Sequence, residues 1–249
     1  MGAGIHDVVV KNCVVNGFYR DFYLTSAHSN TLAGNTANGP SYSNSFYGFV
    51  LEASASNTLA SNTANAAPFG VSYDFVLDGS ASNTLRGNTA NGGPLYTSSS
   101  HGFILSGSEA NTLSRNTASG TSTGFALGGS QSNTLSVNTA TRNDIGIVLG
   151  GSSSNTLAYN DVESGIVGYV LEGSASNTLT SNFAAYNTGD GFSFVGSTWN
   201  NVVGNTAQQN GGVGFRDTTT GTGTSNTGSY YWGNYCVGNP TPSVPTGLC

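Results

Sequence analysis

The chain has 249 residues, of which 36 are glycine and only 7% are Asp, Glu, Lys or Arg, against about 25% in a typical globular domain. Its formal net charge is −6 and its six basic residues are scattered singly, which excludes the basic stripe of a nucleic-acid-binding protein. No segment has the roughly 18–20 apolar residues of a membrane span, and 37% hydrophobic residues at regular positions exclude a disordered chain.

A tripeptide repeat runs through most of the chain. Asp7-Val8-Val9 is a degenerate first copy, Asn-Thr-Leu then recurs in steps of 22–28 residues, and Asn200-Asn201-Val202 is a degenerate last copy, with Asn226 marking a candidate tenth. A second Asn follows five residues after each start. The full copies start at Asn30, Asn57, Asn83, Asn111, Asn133, Asn155 and Asn177. Such a period predicts a solenoid built from one supersecondary unit per repeat.

Between these copies lies a strand motif, in which one apolar residue follows another two positions later. The pairs are Phe22/Leu24, Phe49/Leu51, Phe75/Leu77, Phe103/Leu105, Phe125/Leu127, Ile147/Leu149, Tyr169/Leu171 and Phe192/Phe194. The Leu of Asn-Thr-Leu marks a second strand, and a small residue such as Ala37 or Ala64 marks a third. The intervening Asn, Thr, Ser and Gly residues are poor helix formers. We therefore predict an all-β solenoid of about nine to ten coils, with three short strands per coil.

The repeat units resemble a known superfamily. GFVLEASASNTLASNTANAA (48–67) and GYVLEGSASNTLTSNFAAYN (168–187) are similar to the repeats of the pectate-lyase-like superfamily, especially its NosD-like group of carbohydrate-binding and sugar-hydrolase domains. The resemblance extends from about residue 5 to about residue 235 and implies a right-handed parallel β-helix. That architecture hosts lyases, epimerases, hydrolases and surface proteins, so it does not by itself assign an activity. The Asn columns are interpreted as structural ladders, because a catalytic group is needed once per site and not once per coil.

A candidate binding site lies in the N-terminal half. The intervals between coils two and five are lengthened just before the Phe-x-Leu strand, in segments 39–47, 66–74 and 92–101, which we predict to be neighbouring loops. Alternate positions of the adjoining strands would carry acids outward, among them Asp21. Aromatic rings can cover the apolar faces of pyranoses, and carboxylates can accept hydrogen bonds from sugar hydroxyl groups. The predicted polysaccharide-binding residues are Tyr23, Tyr42, Tyr47, Glu52, Phe69, Tyr73, Asp74, Asp78, Tyr96 and His101.

Two further functions stay open. The first is a polysaccharide lyase, epimerase or hydrolase with Asp74 and Asp78 as candidate catalytic acids, since inverting glycosidases need two carboxyl groups about 6.5–9.5 Å apart. The superfamily resemblance also implies acids that hold Ca²⁺ beside a basic residue, but Arg86 is predicted on a different sheet. Catalysis is thus undecided, and Ca²⁺ is an open cofactor. The second is a surface rod or filament that self-associates through its coil ends or through an outward column of Val50, Val76, Ile104, Ala126, Val148 and Val170.

The NosD resemblance suggests copper, which prefers His, Cys or Met ligands. We predict no metal site, because those residues have no ligand spacing; they are His6, His28, His101, Cys13 and Met1.

The C-terminal segment departs from the repeat. We assign residues 1–235 to the β-helix and residues 236–249 to a Pro-rich tail or cap, CVGNPTPSVPTGLC. Cys236 and Cys249 bracket this segment, and a disulfide between them would contribute roughly 3 kcal/mol for a loop of this size. Disulfides persist in oxidising compartments. We therefore expect a secreted or cell-surface protein, with no nucleic-acid partner and no membrane span.

Overall fold

The computed structural model describes residues 1–41, 45–93, 98–219 and 228–249, with Ser98 described by its backbone alone. These residues contain no helix, and their strands form three parallel sheets of ten strands each. Successive strands enter the first, second and third sheets in turn, so that one strand from each sheet makes a coil. The described residues thus form ten coils of a parallel β-solenoid, which confirms the predicted fold class.

The strands have the following bounds. The first sheet contains Val9–Lys11, Thr31–Ala33, Thr58–Ala60, Thr84–Arg86, Thr112–Ser114, Thr134–Ser136, Thr156–Ala158, Thr178–Thr180, Asn201–Val203 and Tyr230–Trp232. The second sheet contains Val14–Asn16, Thr36–Asn38, Thr63–Asn65, Thr89–Asn91, Thr117–Ser119, Thr139–Thr141, Asp161–Glu163, Phe183–Ala185, Thr206–Gln208 and Tyr235–Val237. The third sheet contains Arg20–Thr25, Ser45–Glu52, Gly70–Asp78, Ser98–Ser106, Thr123–Gly128, Ile145–Gly150, Val167–Glu172, Phe192–Val195, Val213–Asp217 and Thr241–Val244. Coils are numbered 1 to 10 in this order.

The core is a stack of like side chains. Strand pairing places Leu59 beside Leu32 and Leu85, and Ala64 beside Ala37 and Ala90. In the third sheet the inward phenyl rings lie face to face, with centroids 4.6–4.9 Å apart. The stacked rings are Phe22, Phe49, Phe75, Phe103 and Phe125. Burial of one such side chain stabilises the fold by about 1.5–3 kcal/mol, so the repeat itself sets the register.

A column of glycines precedes these rings and faces the alanine column of the second sheet. A Cβ atom at Gly102 would lie 2.5 Å from the carbonyl oxygen of Gly124 and 2.9 Å from the Cβ of Ala118. Two consecutive residues, Gly102 and Phe103, therefore face the interior, and the strict alternation of a strand is interrupted there. The other glycines of this column are Gly48, Gly124, Gly146, Gly168, Gly191 and Gly214.

Asparagine ladders hold the corners. The Nδ2 of Asn111 donates to the Oδ1 of Asn133 (3.0 Å), which also accepts from the backbone N–H of Asn111 (2.9 Å). A serine ladder that the sequence analysis missed runs beside them; the N–H of Ser80, for example, donates to the Oγ of Ser108 (3.0 Å). Buried polar groups need such partners, and stacking identical residues supplies one in every coil.

The C-terminal segment continues the solenoid. The predicted boundary between residues 235 and 236 falls inside Tyr235–Val237, and Thr241–Val244 supplies the tenth strand of the third sheet. Asn226 lies outside the described residues, and the ladder position beside Asn200 is held by Ser229, whose Oγ accepts from the N–H of Asn200 (3.2 Å).

The last coil is also closed by a covalent link. Cys236 and Cys249 form a disulfide with Cα atoms 5.8 Å apart. Leu248 is buried in the core, and its carbonyl accepts from the Nδ2 of Asn234 (3.0 Å). The segment after residue 235 thus both completes coil 10 and covers its end.

Candidate binding face on the third sheet

The third sheet is wider in coils 2 to 4 than elsewhere. Ser45–Glu52, Gly70–Asp78 and Ser98–Ser106 have eight or nine residues, whereas Thr123–Gly128 has six. The extra residues pair with one another, for example Phe46 with Ser72 and Ser72 with Ser100. Part of the segments predicted as loops is therefore strand, because adjacent coils lengthen together and each extension finds a hydrogen-bonding neighbour.

Three columns of outward side chains line this face. We call them the aromatic column, the aliphatic strip and the acidic column, and strand register places their members one coil apart. The aromatic column begins with Arg20 and continues with Tyr47, Tyr73 and His101. The aliphatic strip begins with Tyr23 and continues with Val50, Val76 and Ile104. The acidic column begins with Thr25 and continues with Glu52, Asp78 and Ser106.

The aromatic column is a stack. The ring centroids of Tyr47 and Tyr73 are 4.8 Å apart, those of Tyr73 and His101 are 5.2 Å apart, and Tyr19 meets Tyr47 edge-on at 5.3 Å. The spacing follows the rise of about 4.8 Å between parallel strands. Neighbouring rings therefore cover each other, and Tyr73 presents its edge and hydroxyl to solvent.

Burial tunes the ionisation of two of these rings. Burial and a hydrogen bond to Tyr19 raise the pKa of Tyr47, so its phenol stays protonated near neutrality. Burial lowers the pKa of His101. The imidazole of His101 is therefore neutral at pH 7, with one ring nitrogen free to accept a proton or a hydrogen bond.

Three side chains from coils 1 and 2 contact one another across the face. The guanidinium carbon of Arg20 lies 4.7 Å from the ring centroid of Tyr23, and 5.6 and 5.7 Å from those of Tyr19 and Tyr47. The hydroxyl of Tyr23 donates to a carboxylate oxygen of Glu52. These contacts join the aromatic column, the aliphatic strip and the acidic column, and we call Arg20, Tyr23 and Glu52 the crossbar.

Asp74 does not lie on the face, which corrects the sequence prediction. Its side chain is 0% exposed and neither carboxylate oxygen has a hydrogen-bond partner among the described residues. Asp74 occupies the inward glycine column, between Gly48 and Gly102, where the alternation of the strand is interrupted. Burial raises its pKa well above the usual 3.8. It cannot accept sugar hydroxyls at the surface, nor act with Asp78 as a catalytic pair.

Asp21 stands in the same column two coils earlier and is half-buried. Burial raises its pKa to about 6. Its expected outward position is therefore also wrong, for the same reason as that of Asp74.

Two of the remaining predicted residues lie side by side, and the others that the structure describes lie apart from them. Glu52 and Asp78 are exposed and lie on adjacent strands in register. Phe69 is exposed at the turn before Gly70–Asp78. Arg86 lies on the first sheet, away from this face, as expected. Tyr42 and Tyr96 lie outside the described residues.

Comparisons with known proteins identify the family. The family model described as "Periplasmic copper-binding protein (NosD)" matches residues 3–91 and 68–240. The chain belongs to the NosD family. The predicted resemblance is confirmed. A search of curated protein sequences finds no significant match.

Solved structures share the fold at low sequence identity. The A-module of the Azotobacter vinelandii mannuronan C-5 epimerase AlgE6 superposes with a TM-score of 0.70 and 14% identity, over 97% of this chain and 78% of that one. The catalytic domain of a GH87 alpha-1,3-glucanase in complex with nigerose superposes with a TM-score of 0.62 and 12% identity, over 97% of this chain and 52% of that one. The A-module of the A. vinelandii mannuronan C-5 epimerase AlgE4 superposes with a TM-score of 0.53 and 14% identity, over 97% of this chain and 80% of that one.

The donor residues of this chain do not fit the copper named in the family description. The imidazoles of His6 and His28 stack with centroids 5.0 Å apart, and His6 Nδ1 lies 2.7 Å from an oxygen of Asp7. His101 stacks on Tyr73, far along the chain from the exposed Cys13. In the part of the chain that the structure describes, no three His, Cys, Asp or Glu side chains are close enough to hold a metal ion. In the same residues, no helix could cross a membrane.

Proposed function

We propose that this NosD-family chain is an extracytoplasmic polysaccharide-binding protein whose site is the outer face of the third sheet in coils 1 to 4. The observation that carries the proposal is the register of the three columns. Each coil from 2 to 4 repeats an aromatic group, an aliphatic group and a polar or acidic group at one strand spacing. A surface that repeats along one direction matches a ligand that also repeats, and a polysaccharide is such a ligand.

The chemistry of the columns suits sugars. Tyrosine hydroxyls donate and accept hydrogen bonds, carboxylates accept from hydroxyl groups, and the aliphatic strip offers an apolar surface between them. Val50 points outward yet is only 6% exposed, so its neighbours rise around it. Because neighbouring rings stack on each other, we assign their contribution to ring edges and hydroxyl groups.

Two further observations support the proposal. The epimerase and the glucanase that share the fold act, by their names, on mannuronan and on an alpha-1,3-glucan. The family description is periplasmic, and the disulfide between Cys236 and Cys249 suits an oxidising compartment outside the cytoplasm. Secretion or display at the cell surface is part of the same proposal.

The test is retention on a panel of neutral and uronic-acid polysaccharides that includes mannuronan and alpha-1,3-glucan, with and without Ca²⁺. We expect the Tyr73→Ala, His101→Ala double variant to lose affinity at least about tenfold, which corresponds to about 1.4 kcal/mol. Tyr230→Ala is the control, since Tyr230 is an exposed tyrosine on the first sheet in coil 10, away from the face. Equal retention of the double variant and the control would refute the assigned site.

A lyase, epimerase or hydrolase that uses the same face is the second candidate. The favouring observation is His101, a neutral imidazole beside the Tyr73 ring, because a neutral imidazole is a general base. Chain shortening, unsaturated ends or altered uronate composition in the same panel would establish catalysis, and retention without product would favour binding alone. No retention on any polymer, with concentration-dependent light scattering, would favour the rod.

A further inference from the structure

The crossbar makes the two ends of the binding face unequal. Along the aliphatic strip, coils 2 to 4 carry Val50, Val76 and Ile104, but coil 1 carries Tyr23. The ring of Tyr23 stands on the strip, and its hydroxyl reaches the acidic column at Glu52. A polymer lying along the strip therefore meets a large side chain at coil 1.

In the opposite direction the strip stays small. Strand register continues it from Ile104 through Ala126, Val148 and Val170, and the aromatic column continues from His101 as Thr123, Ile145 and Val167. All of these side chains are smaller than Tyr23 or the rings. A polymer can therefore extend past coil 4 along the solenoid axis, so the face is closed on one side and open on the other.

Arg20 supplies a charge at the closed side. Its guanidinium is held by the rings of Tyr19, Tyr23 and Tyr47, and none of the described carboxylates lies within ion-pair distance. Arg216, which belongs to the aliphatic strip at coil 9, is by contrast tied to Asp190, with Nε to Oδ2 at 2.5 Å. A guanidinium has five N–H donors and no acceptor. Arg20 is therefore positioned to bind acceptor oxygens at the closed side of the face.

We propose that the face binds the end of a polysaccharide chain, with the terminal sugar against Arg20 and Tyr23 and the rest of the chain running toward coil 5. This inference rests on the proposed function and adds to it the part of the polymer that is recognised. The terminal sugar must present acceptor oxygens, either hydroxyl or carboxylate, to the guanidinium.

The test compares intact mannuronan and alpha-1,3-glucan with the same polymers after partial hydrolysis, which raises the number of chain ends per gram severalfold. We expect the amount of wild-type protein bound per gram at saturation to rise in proportion to the number of ends. An amount per gram that does not change on hydrolysis would overturn the chain-end inference and leave the proposed function standing. If the protein binds neither polymer and no other member of the panel, the chain-end inference and the proposed function are both overturned.

Two variants sharpen the test. Tyr23→Val gives coil 1 the residue that coils 2 and 3 carry, so bound protein per gram should become independent of chain length while binding persists. Arg20→Gln should weaken binding to hydrolysed polymer about tenfold, the loss expected for one charge-assisted contact. Arg86→Gln, the same exposed charge change on the first sheet, should have no effect. Thermal unfolding of each variant shows that it is folded. A Tyr23→Val variant that is folded and still depends on chain ends contradicts the role of the crossbar.

Discussion

Tyr47 and Tyr73 stack across adjacent coils with their ring centroids 4.8 Å apart and their planes 19° apart. Since His101 lies on the other side of Tyr73, the ring of Tyr73 is covered on both sides. The sequence predicts rings that cover the apolar faces of pyranoses, whereas the structure offers a row of ring edges and hydroxyl groups. Hydrogen bonding, rather than stacking, should therefore dominate the contribution of this column.

Tyr73→Phe separates these two contributions. The phenylalanine keeps the stack with Tyr47 and His101 but lacks the hydroxyl, so we expect binding of the retained polysaccharide to weaken about three- to tenfold, the loss of one hydrogen bond. Affinity electrophoresis on that polymer measures the change. An unchanged affinity in Tyr73→Phe together with a large loss in Tyr73→Ala would show that the ring surface, and not the hydroxyl, makes the contact.

Asp74 should make the fold less stable as the pH rises. Its pKa is raised by burial in the folded protein above the usual 3.8, so the folded state holds a proton that the unfolded state releases. The free energy of unfolding therefore falls as the pH rises above about 4, until the folded-state pKa is passed. Asp74→Ala removes this dependence. The free energy of unfolding of the variant minus that of wild type should therefore be larger at pH 7 than at pH 3. Urea unfolding at both values tests this, with exposed Asp78→Ala as the control. Parallel pH profiles for wild type and Asp74→Ala would contradict the assignment.

The ladders should dominate the stability of the middle coils. The Oδ1 of Asn138 accepts two hydrogen bonds from Asn116, and its Nδ2 donates to Leu113 O (3.0 Å) and Asn160 Oδ1 (2.9 Å). Asn138→Ala leaves buried groups without partners and should cost about 3 kcal/mol or more.

The matched control for this ladder variant is Asn91→Ala. Asn91 is half-buried on the outer surface and its Nδ2 donates one bond, to the Oδ1 of Asn65 (2.8 Å). The free energy of unfolding in urea should fall by less than about 1 kcal/mol for Asn91→Ala. Similar losses for the two variants would argue against the ladder as the source of stability.

Gly102 should tolerate no side chain. Gly102→Ala places a Cβ atom 2.5 Å from the carbonyl oxygen of Gly124, and overpacking of this kind costs about 1–3 kcal/mol. Gly128→Ala is the matched control, because nothing lies within 4 Å of a Cβ atom there and the residue is in the same sheet. Thermal unfolding should show a lower midpoint for Gly102→Ala alone. Equal unfolding midpoints for the two variants would show that the backbone around Gly102 moves to accept a methyl group at no cost in free energy.

The repeat in the sequence is sufficient to predict the solenoid, its three strands per coil and the inward Leu and Phe columns. Each coil contains the same apolar spacing as the next, and parallel pairing brings like residues together, so one repeat describes the core of all. The Asn columns are predictable for the same reason. The serine ladder was readable in the same way, because its members lie three residues before each repeat start, as Ser80 does before Asn83. It was overlooked because Ser is also common elsewhere between the repeats.

The candidate site depends on local departures from the two-residue alternation of a strand, and that alternation alone cannot predict them. At Gly48–Phe49 and Asp74–Phe75 two consecutive residues face the interior, which moves Asp74 from the predicted surface into the core. The lengthened segments became strands rather than loops because three adjacent coils lengthen together and their backbones pair. The sequence by itself thus determined the fold, since stacking identical units needs only their order. Only the tertiary structure decided which side chains face outward, because that depends on where a strand bends against its neighbours and on the contacts among Arg20, Tyr23 and Glu52 across different coils.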